Sequence, residues 1–291
     1  MPDNSWTAGA GSNDINVAGN WSAGVPVNGQ DLYVVDDVAY GPVANPATLA
    51  AVTGLTWHVG GNFKKTPGAY GAPIQCGNNA KLIVDTLDIP EMFFMSSLWD
   101  LITIIQCHPS NANACVITAT AATKVRAQKG RVHLPSGFTG TLVEAIGGEN
   151  PRGDLILDID EAAVLATLVA MAGKTTCICT PSAGIEVGGD AEVHHTKPST
   201  STLASLRINE RGRFYAEGKN TTFTLINGRS GVLDLKKSIK PIITAGTLWR
   251  GLIADLSSAG GGGTGAYDNL GALVKAKDQG IVGTSYGIVT P

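Results

Sequence analysis

Charge is scarce in this 291-residue chain: Asp, Glu, Lys and Arg make up 15% of it, against about 25% in an ordinary globular domain. The formal net charge is −3, which argues against nucleic acid as a partner, because such surfaces carry a basic stripe. Aromatic residues are also few, at 6%. No apolar run approaches the ~18 residues of a membrane-crossing helix, so no membrane partner is expected. The opening Met1-Pro2-Asp3-Asn4 lacks the basic and apolar regions of a secretory signal. No CxxC pair accompanies the five cysteines Cys76, Cys107, Cys115, Cys177 and Cys179, so zinc-ribbon spacings fail. An odd cysteine count without an export signal reads as reduced thiols of a cytoplasmically made protein. G-x-S-x-G and H-E-x-x-H are absent, and Gly260–Gly263 lacks the Lys-Ser/Thr of a phosphate loop.

Glycine and small apolar residues are what the chain has in quantity. Hydrophobic residues reach 43%, and 37 residues are glycine, enough apolar material to exclude global disorder. Runs of four to six residues rich in Val, Ile, Thr, Phe and Tyr alternate with Gly/Asn turns. The clearest are Leu203–Ile208, Arg213–Ala216, Thr221–Ile226, Gly231–Leu235 and Leu248–Ile253. Earlier runs of the same kind are Asp31–Val35, Leu55–Val59, Lys81–Asp85, Ala114–Thr118, Lys124–Ala127, Arg131–Leu134, Thr141–Ala145 and Asp154–Ile159. Leu98–Ile105 reads as a buried strand, with a helix after Pro90 as the alternative.

These features predict an all-β fold: an irregular parallel β-helix or solenoid with extended N- and C-terminal arms. The alternative is an antiparallel β-sandwich or barrel, for which Asn227-Gly228 supplies a hairpin turn. Abundant small residues and few large rings favour the narrow interior of a solenoid. One short helix is expected near 160–172. Asp158 and Glu161 there have capping-box spacing, Val164, Leu165, Leu168 and Val169 share a helical face, and Gly173 supplies a stop. The expected division is an N-terminal arm and cap over 1–30, a solenoid body over 31–257, and a Gly-rich linker and C-terminal arm over 258–291.

Candidate chemistry is sparse. Asp190, Glu192 and His194 would share one face of a strand and His195 the other, the densest set of metal-ligand types. Asp158, Asp160 and Glu161 offer a carboxylate pair for glycoside hydrolysis, which needs two carboxyls about 5 to 9 Å apart, but helix capping accounts for them better. Arg152-Gly153-Asp154 reads as a chance tripeptide in a loop. Cys177-x-Cys179 would point both thiols to one side of a strand. No catalytic residue, cofactor or metal site is assigned.

The segment from Gly19 to Val34 resembles the G-x-W-x-x-G-x-P-x-x-G opening of phage virion and autotransporter-type β-helix proteins. Trp21, Gly24, Pro26 and Gly29 match it, and Asp31 stands one place later than that family's usual Asp. The resemblance implies that Trp21, Pro26 and Gly29 cap the mouth of the solenoid. With no export signal, it favours the phage branch: a non-enzymatic head decoration, or cement, protein on the virion surface. Its partners would be the major capsid protein and itself, as a homotrimer. Trp6, Gly260, Gly263, Tyr267, Leu273 and Tyr286 would lie in the arms that contact the capsid. The alternative is a tail or fibre β-helix protein that binds or cleaves host polysaccharide.

Overall fold

The computed structural model describes residues 3–42, 49, 51–69, 72–147, 155–257 and 264–275. The chain is an all-β parallel solenoid, not a barrel. It divides into two compact units. The described residues of the first run to Val143 and include 155–158; those of the second begin at Glu144–Gly147 and continue from Ile159.

In the first unit the strands Asn4–Ser5, Asp31–Val34, Thr56–Gly60, Ala80–Asp85, Phe93–Gln106 and Cys115–Ala127 pair in parallel, each with the next. Period-2 alternation decides what faces inward. Leu32, Trp57, Leu82, Ile102 and Val125 occupy one in-register column, and all are buried. Val34, Val59, Val84, Ile104 and Ala127 form a second. Each large side chain that a rung places in such a column contributes about 1.5–3 kcal/mol of burial, while ladder hydrogen bonds satisfy the backbone between rungs. Residues between the inward positions face out, and Tyr33 stacks on His58 there at 4.6 Å.

The N-terminal segment is packed against this stack. Asn4–Ser5 adds a strand to Asp31–Val34. Trp6 meets Trp21 edge-on at 5.1 Å, Trp21 meets Trp57 at 6.1 Å, and Trp57 meets Phe94 at 6.2 Å. The indole N–H of Trp6 donates to the Tyr40 carbonyl, and that of Trp21 to the Ile15 carbonyl, both at 2.8 Å. The two rings are therefore apolar on their faces and satisfied at their edges. Trp6 and Trp21 are buried, so this part of the expected arm and cap packs on the stack.

The second unit repeats the plan with shorter steps. Thr175, Val193, Phe214, Leu233, Ala254 and Val274 pair in register along the strands Lys174–Cys177, Glu192–His195, Arg213–Ala216, Gly231–Asp234, Leu252–Asp255 and Leu273–Lys275. A second ladder joins Val164–Ala170, Gly184–Val187, Leu206–Ile208, Thr221–Gly228 and Ile242–Trp249. Its inward column is Leu168, Ile185, Leu206 and Ile226, all buried.

Two local expectations, the helix and its Asp158 cap, are overturned, and the hairpin of the alternative fold is not formed. The helix near 160–172 is the strand Val164–Ala170, paired in parallel with Gly184–Val187. Val164 is exposed while Leu165, Leu168 and Ala170 are buried. Tertiary pairing outweighs a helical pattern carried partly by β-branched valines. Asp158 lies near the end of the strand Leu155–Ile159 and accepts a 2.8 Å bond from Arg131 Nε instead of capping a helix. Asn227-Gly228 makes no hairpin: both residues lie inside Thr221–Gly228 and pair in parallel with Thr247 and Leu248. Leu98–Ile105 lies within the strand Phe93–Gln106 but is buried on one side only, with Ile105 exposed.

Candidate functional site

In the second unit, in-register stacking turns residues some twenty positions apart into continuous outward columns. One column reads Lys174, Glu192, Arg213, Val232, Ile253, Leu273. Its first members are complementary charges, with Lys174 Nζ 3.9 Å from Glu192 Oε1. Its last members are aliphatic: Ile253 is 54% exposed and Leu273 72%. Along the second ladder, Trp249 and Leu270 are register partners, 44% and 42% exposed. Single exposed apolar residues are ordinary, but contiguous ones mark contact surfaces. A shallow recess of about 250 Å³ runs between Ile253, Asp255, Leu273 and Lys275.

The parallel column reads Thr176, His194, Tyr215, Asp234, Asp255, Lys275 and stays polar. His194 stacks on Tyr215 at 4.8 Å. Its Nε2 lies 2.5 Å from Glu192 Oε1 and its Nδ1 3.2 Å from Glu217 Oε1. Lys237 Nζ donates to the same Glu217 oxygen at 2.9 Å. Partial desolvation raises the Glu217 carboxyl, but bonds from Lys237 and His194 outweigh it and hold the group below the usual range. Lys275 closes on Asp255 at 3.5 Å. Desolvation also raises Asp255, yet bonds from Ser257 and the Lys275 charge bring it below its ordinary value. A groove of about 180 Å³ beside Tyr215, Glu217 and Lys237 is smaller than the roughly 300–1,000 Å³ of a small-molecule site.

The expected metal-ligand set is divided as strand alternation requires. Glu192 and His194 face out together, His195 faces in, and Asp190 is held by Arg211 Nε at 2.9 Å. Among the described residues no group of three or more His, Cys, Asp or Glu side chains stands at metal-binding positions. All five cysteines are free and buried. Cys177 and Cys179 do share one side, with their sulfurs 3.7 Å apart. That contact keeps the proton on Cys177, whose thiol is pushed well above the usual range, while Cys179 is lowered. Neither ring nitrogen of buried His195 meets full hydrogen-bond geometry, although the Cys179 carbonyl lies close to it. Desolvation takes its pKa down to about 4, and the neighbouring Cys179 carbonyl offsets only part of that.

Of the residues expected to cap or contact, Trp21 and Pro26 are buried, and the Gly29 N–H donates to the Thr53 carbonyl at 2.8 Å. Trp6 is buried at 1% exposure. Tyr267 is half-buried and Leu273 exposed. Gly260, Gly263, Tyr286 and the tripeptide 152–154 lie outside the described residues. Sequence reasoning missed the exposed partners Ile253 and Trp249; it placed His195 on the face opposite His194 but did not show that its ring would be buried. A twenty-residue comparison of outward positions would have flagged the first two.

A scan of protein-family models, a search of curated proteins and a search of solved structures each find no match to this chain. Fold and surface therefore define its class, a parallel β-solenoid whose second unit carries exposed apolar residues at Ile253 and Leu273.

Proposed function

We propose that the chain is a non-enzymatic phage head decoration protein, which docks on the major capsid protein and bridges subunit boundaries as a homotrimer. The observation that carries this reading is the outward column of the second unit, charged and paired at Lys174–Glu192 and aliphatic at Ile253–Leu273. An apolar strip flanked by the Asp255–Lys275 pair has the apolar centre and polar rim of a protein-binding surface. Contacts repeated by symmetry on a shell add through effective concentration, so each can be modest. The capsid partner comes from the resemblance of Gly19–Val34 to phage virion β-helix proteins; the docking surface comes from geometry.

The test is co-sedimentation of the purified chain with heads lacking it, together with its light-scattering mass. The unaltered chain should bind heads and scatter at three times its mass of 30.0 kDa. Ile253→Asp with Leu273→Asp should fold normally and bind about 30-fold more weakly or worse, the loss of an interface hot spot of about 2 kcal/mol. A monomer that ignores heads, or a double variant that binds as well as the parent, overturns the reading. In either case assays with host polysaccharides become the next step.

A further inference from the structure

All five cysteines are free and buried, and Cys177 and Cys179 hold their sulfurs 3.7 Å apart in the second unit. The contact arises where a strand ends. Cys177 is the last residue of Lys174–Cys177, and Ile178 and Cys179 continue outside the ladder. Both thiols keep the inward facing of alternate positions. The backbone between them is held from two neighbouring rungs. The Ile178 N–H donates to the Ile159 carbonyl at 3.0 Å, and the Thr196 N–H donates to the Cys177 carbonyl at 3.1 Å. Elsewhere the Cys107 thiol donates to the Arg131 carbonyl at 3.2 Å and the Cys76 thiol to the Ile74 carbonyl at 3.9 Å.

We propose that Cys177 and Cys179 are a peroxide-sensitive dithiol, oxidised reversibly to a disulfide that loosens the rung carrying it. Hydrogen peroxide is the two-electron oxidant. The Cys179 thiolate attacks one peroxide oxygen; the S–O bond forms, the O–O bond breaks, and the departing hydroxide takes up the thiol proton as water. The Cys177 sulfur then attacks the Cys179 sulfenic acid. The S–S bond forms, the S–O bond breaks, and the oxygen leaves with the Cys177 proton as a second water. The order follows from the two thiols. The bond from Cys177, helped by the Lys197 charge, lowers Cys179 against its desolvation, while the same contact raises Cys177. Burial pushes Cys107 up to about 12 and puts Cys76 and Cys115 well above the usual thiol range, which leaves those three little thiolate to react. Cys179 is 1% exposed, so the site selects an oxidant barely larger than water.

Oxidation pulls on the rungs. The sulfurs must close from 3.7 Å by about 1.6 Å. Two extended residues span about 6.6 Å, near the top of the roughly 4.4–6.8 Å over which Cα atoms can be bridged. The chain therefore shortens between 177 and 179 at the expense of the bonds to Ile159 and Thr196. The loop so closed is minimal, and it gains little from restricting the unfolded chain. A strained bridge is also readily reduced, which makes the pair a switch and not a staple. This inference does not depend on the docking role.

The test treats the folded, full-length chain, reduced and freed of reductant, with excess hydrogen peroxide. The product is denatured in iodoacetamide and digested with trypsin. Peptide 175–207 holds Cys177 and Cys179 and no other cysteine. It should return unalkylated and two hydrogens lighter than its dithiol form, and dithiothreitol before alkylation should restore both sites. Peptides bearing Cys76, Cys107 or Cys115 should lose alkylation about tenfold less. The oxidised chain should melt about 3 °C or more below the reduced one. Cys177→Ser should stop at a Cys179 sulfenic acid that dimedone captures, whereas Cys179→Ser should give no adduct at Cys177. Full alkylation of peptide 175–207 after peroxide overturns the proposal, as does oxidation spread evenly over the five cysteines or a bridge between chains. An oxidised chain that melts at or above the reduced one overturns the loosening of the rung. If a variant fails to fold, the peptide map and melting of the unaltered chain decide alone.

Discussion

Gly130 and Gly137 separate two costs that are usually measured together. Both have left-handed backbone, with φ of +93° and +88°. A Cβ on Gly137 would meet nothing within 4 Å, whereas one on Gly130 would lie 2.0 Å from the Cys107 carbonyl oxygen and 2.8 Å from its sulfur. The Cys107 backbone has little room to retreat. Its N–H donates to the Lys129 carbonyl at 3.1 Å, and its thiol to the Arg131 carbonyl at 3.2 Å. Left-handed backbone costs an L residue about 1–2 kcal/mol, and forcing an extra carbon into packed structure adds about 1–3. The entropy that alanine removes from the unfolded chain is common to both variants. Gly137→Ala should therefore destabilise by about 1–2 kcal/mol and Gly130→Ala by about 2–5. Urea unfolding followed by circular dichroism measures both, provided the slope m is unchanged. Equal shifts in midpoint would refute the claim that rung-to-rung approach, not backbone conformation alone, demands glycine at 130.

Other consequences are open to the same methods. Trp57→Ala removes a fully buried ring that touches Trp21 and Phe94; a loss of about 3–5 kcal/mol is expected, and a loss below about 1 would remove the aromatic column from the account. Asp255 is held below its ordinary pKa, so the stability it contributes is full above the usual carboxylate range and falls as pH drops through its folded value. Asp255→Asn should flatten the acid limb of melting temperature against pH below about 4, and an unchanged limb would show that Ser257 and Lys275 do not hold the carboxylate. Glu192→Lys would place a third positive charge in the column between Lys174 and Arg213; a loss of about 0.2–1 kcal/mol that shrinks in high salt is expected, and a salt-independent loss would point to packing instead.

Much of the strand content is legible in sequence because alternation is a local property. Asp31–Val34 and Arg213–Ala216 show their period of two without help from neighbours. So do His194 and His195, whose opposite facings follow from adjacency on one strand. What fails to show is whatever depends on the next rung. Val164–Ala170 carries a helical spacing, and only pairing with Gly184–Val187 makes it a strand. Asn227-Gly228 has turn chemistry, yet its register partners lie in Ile242–Trp249. The apolar strip was hidden for the same reason. Ile253 and Leu273 are ordinary singly, and only a comparison of outward positions some twenty residues apart makes them neighbours.

Among the described residues no strand follows Leu273–Lys275, which is paired through Leu252–Asp255. In a stack each repeat is stabilised by those it touches. A binding partner seated on the Ile253–Leu273 strip would act thermodynamically as a further neighbour of those rungs. Recognition and ordering would then be one equilibrium, visible as slowed amide exchange that is greatest at Leu273–Lys275 and fades rung by rung into the unit.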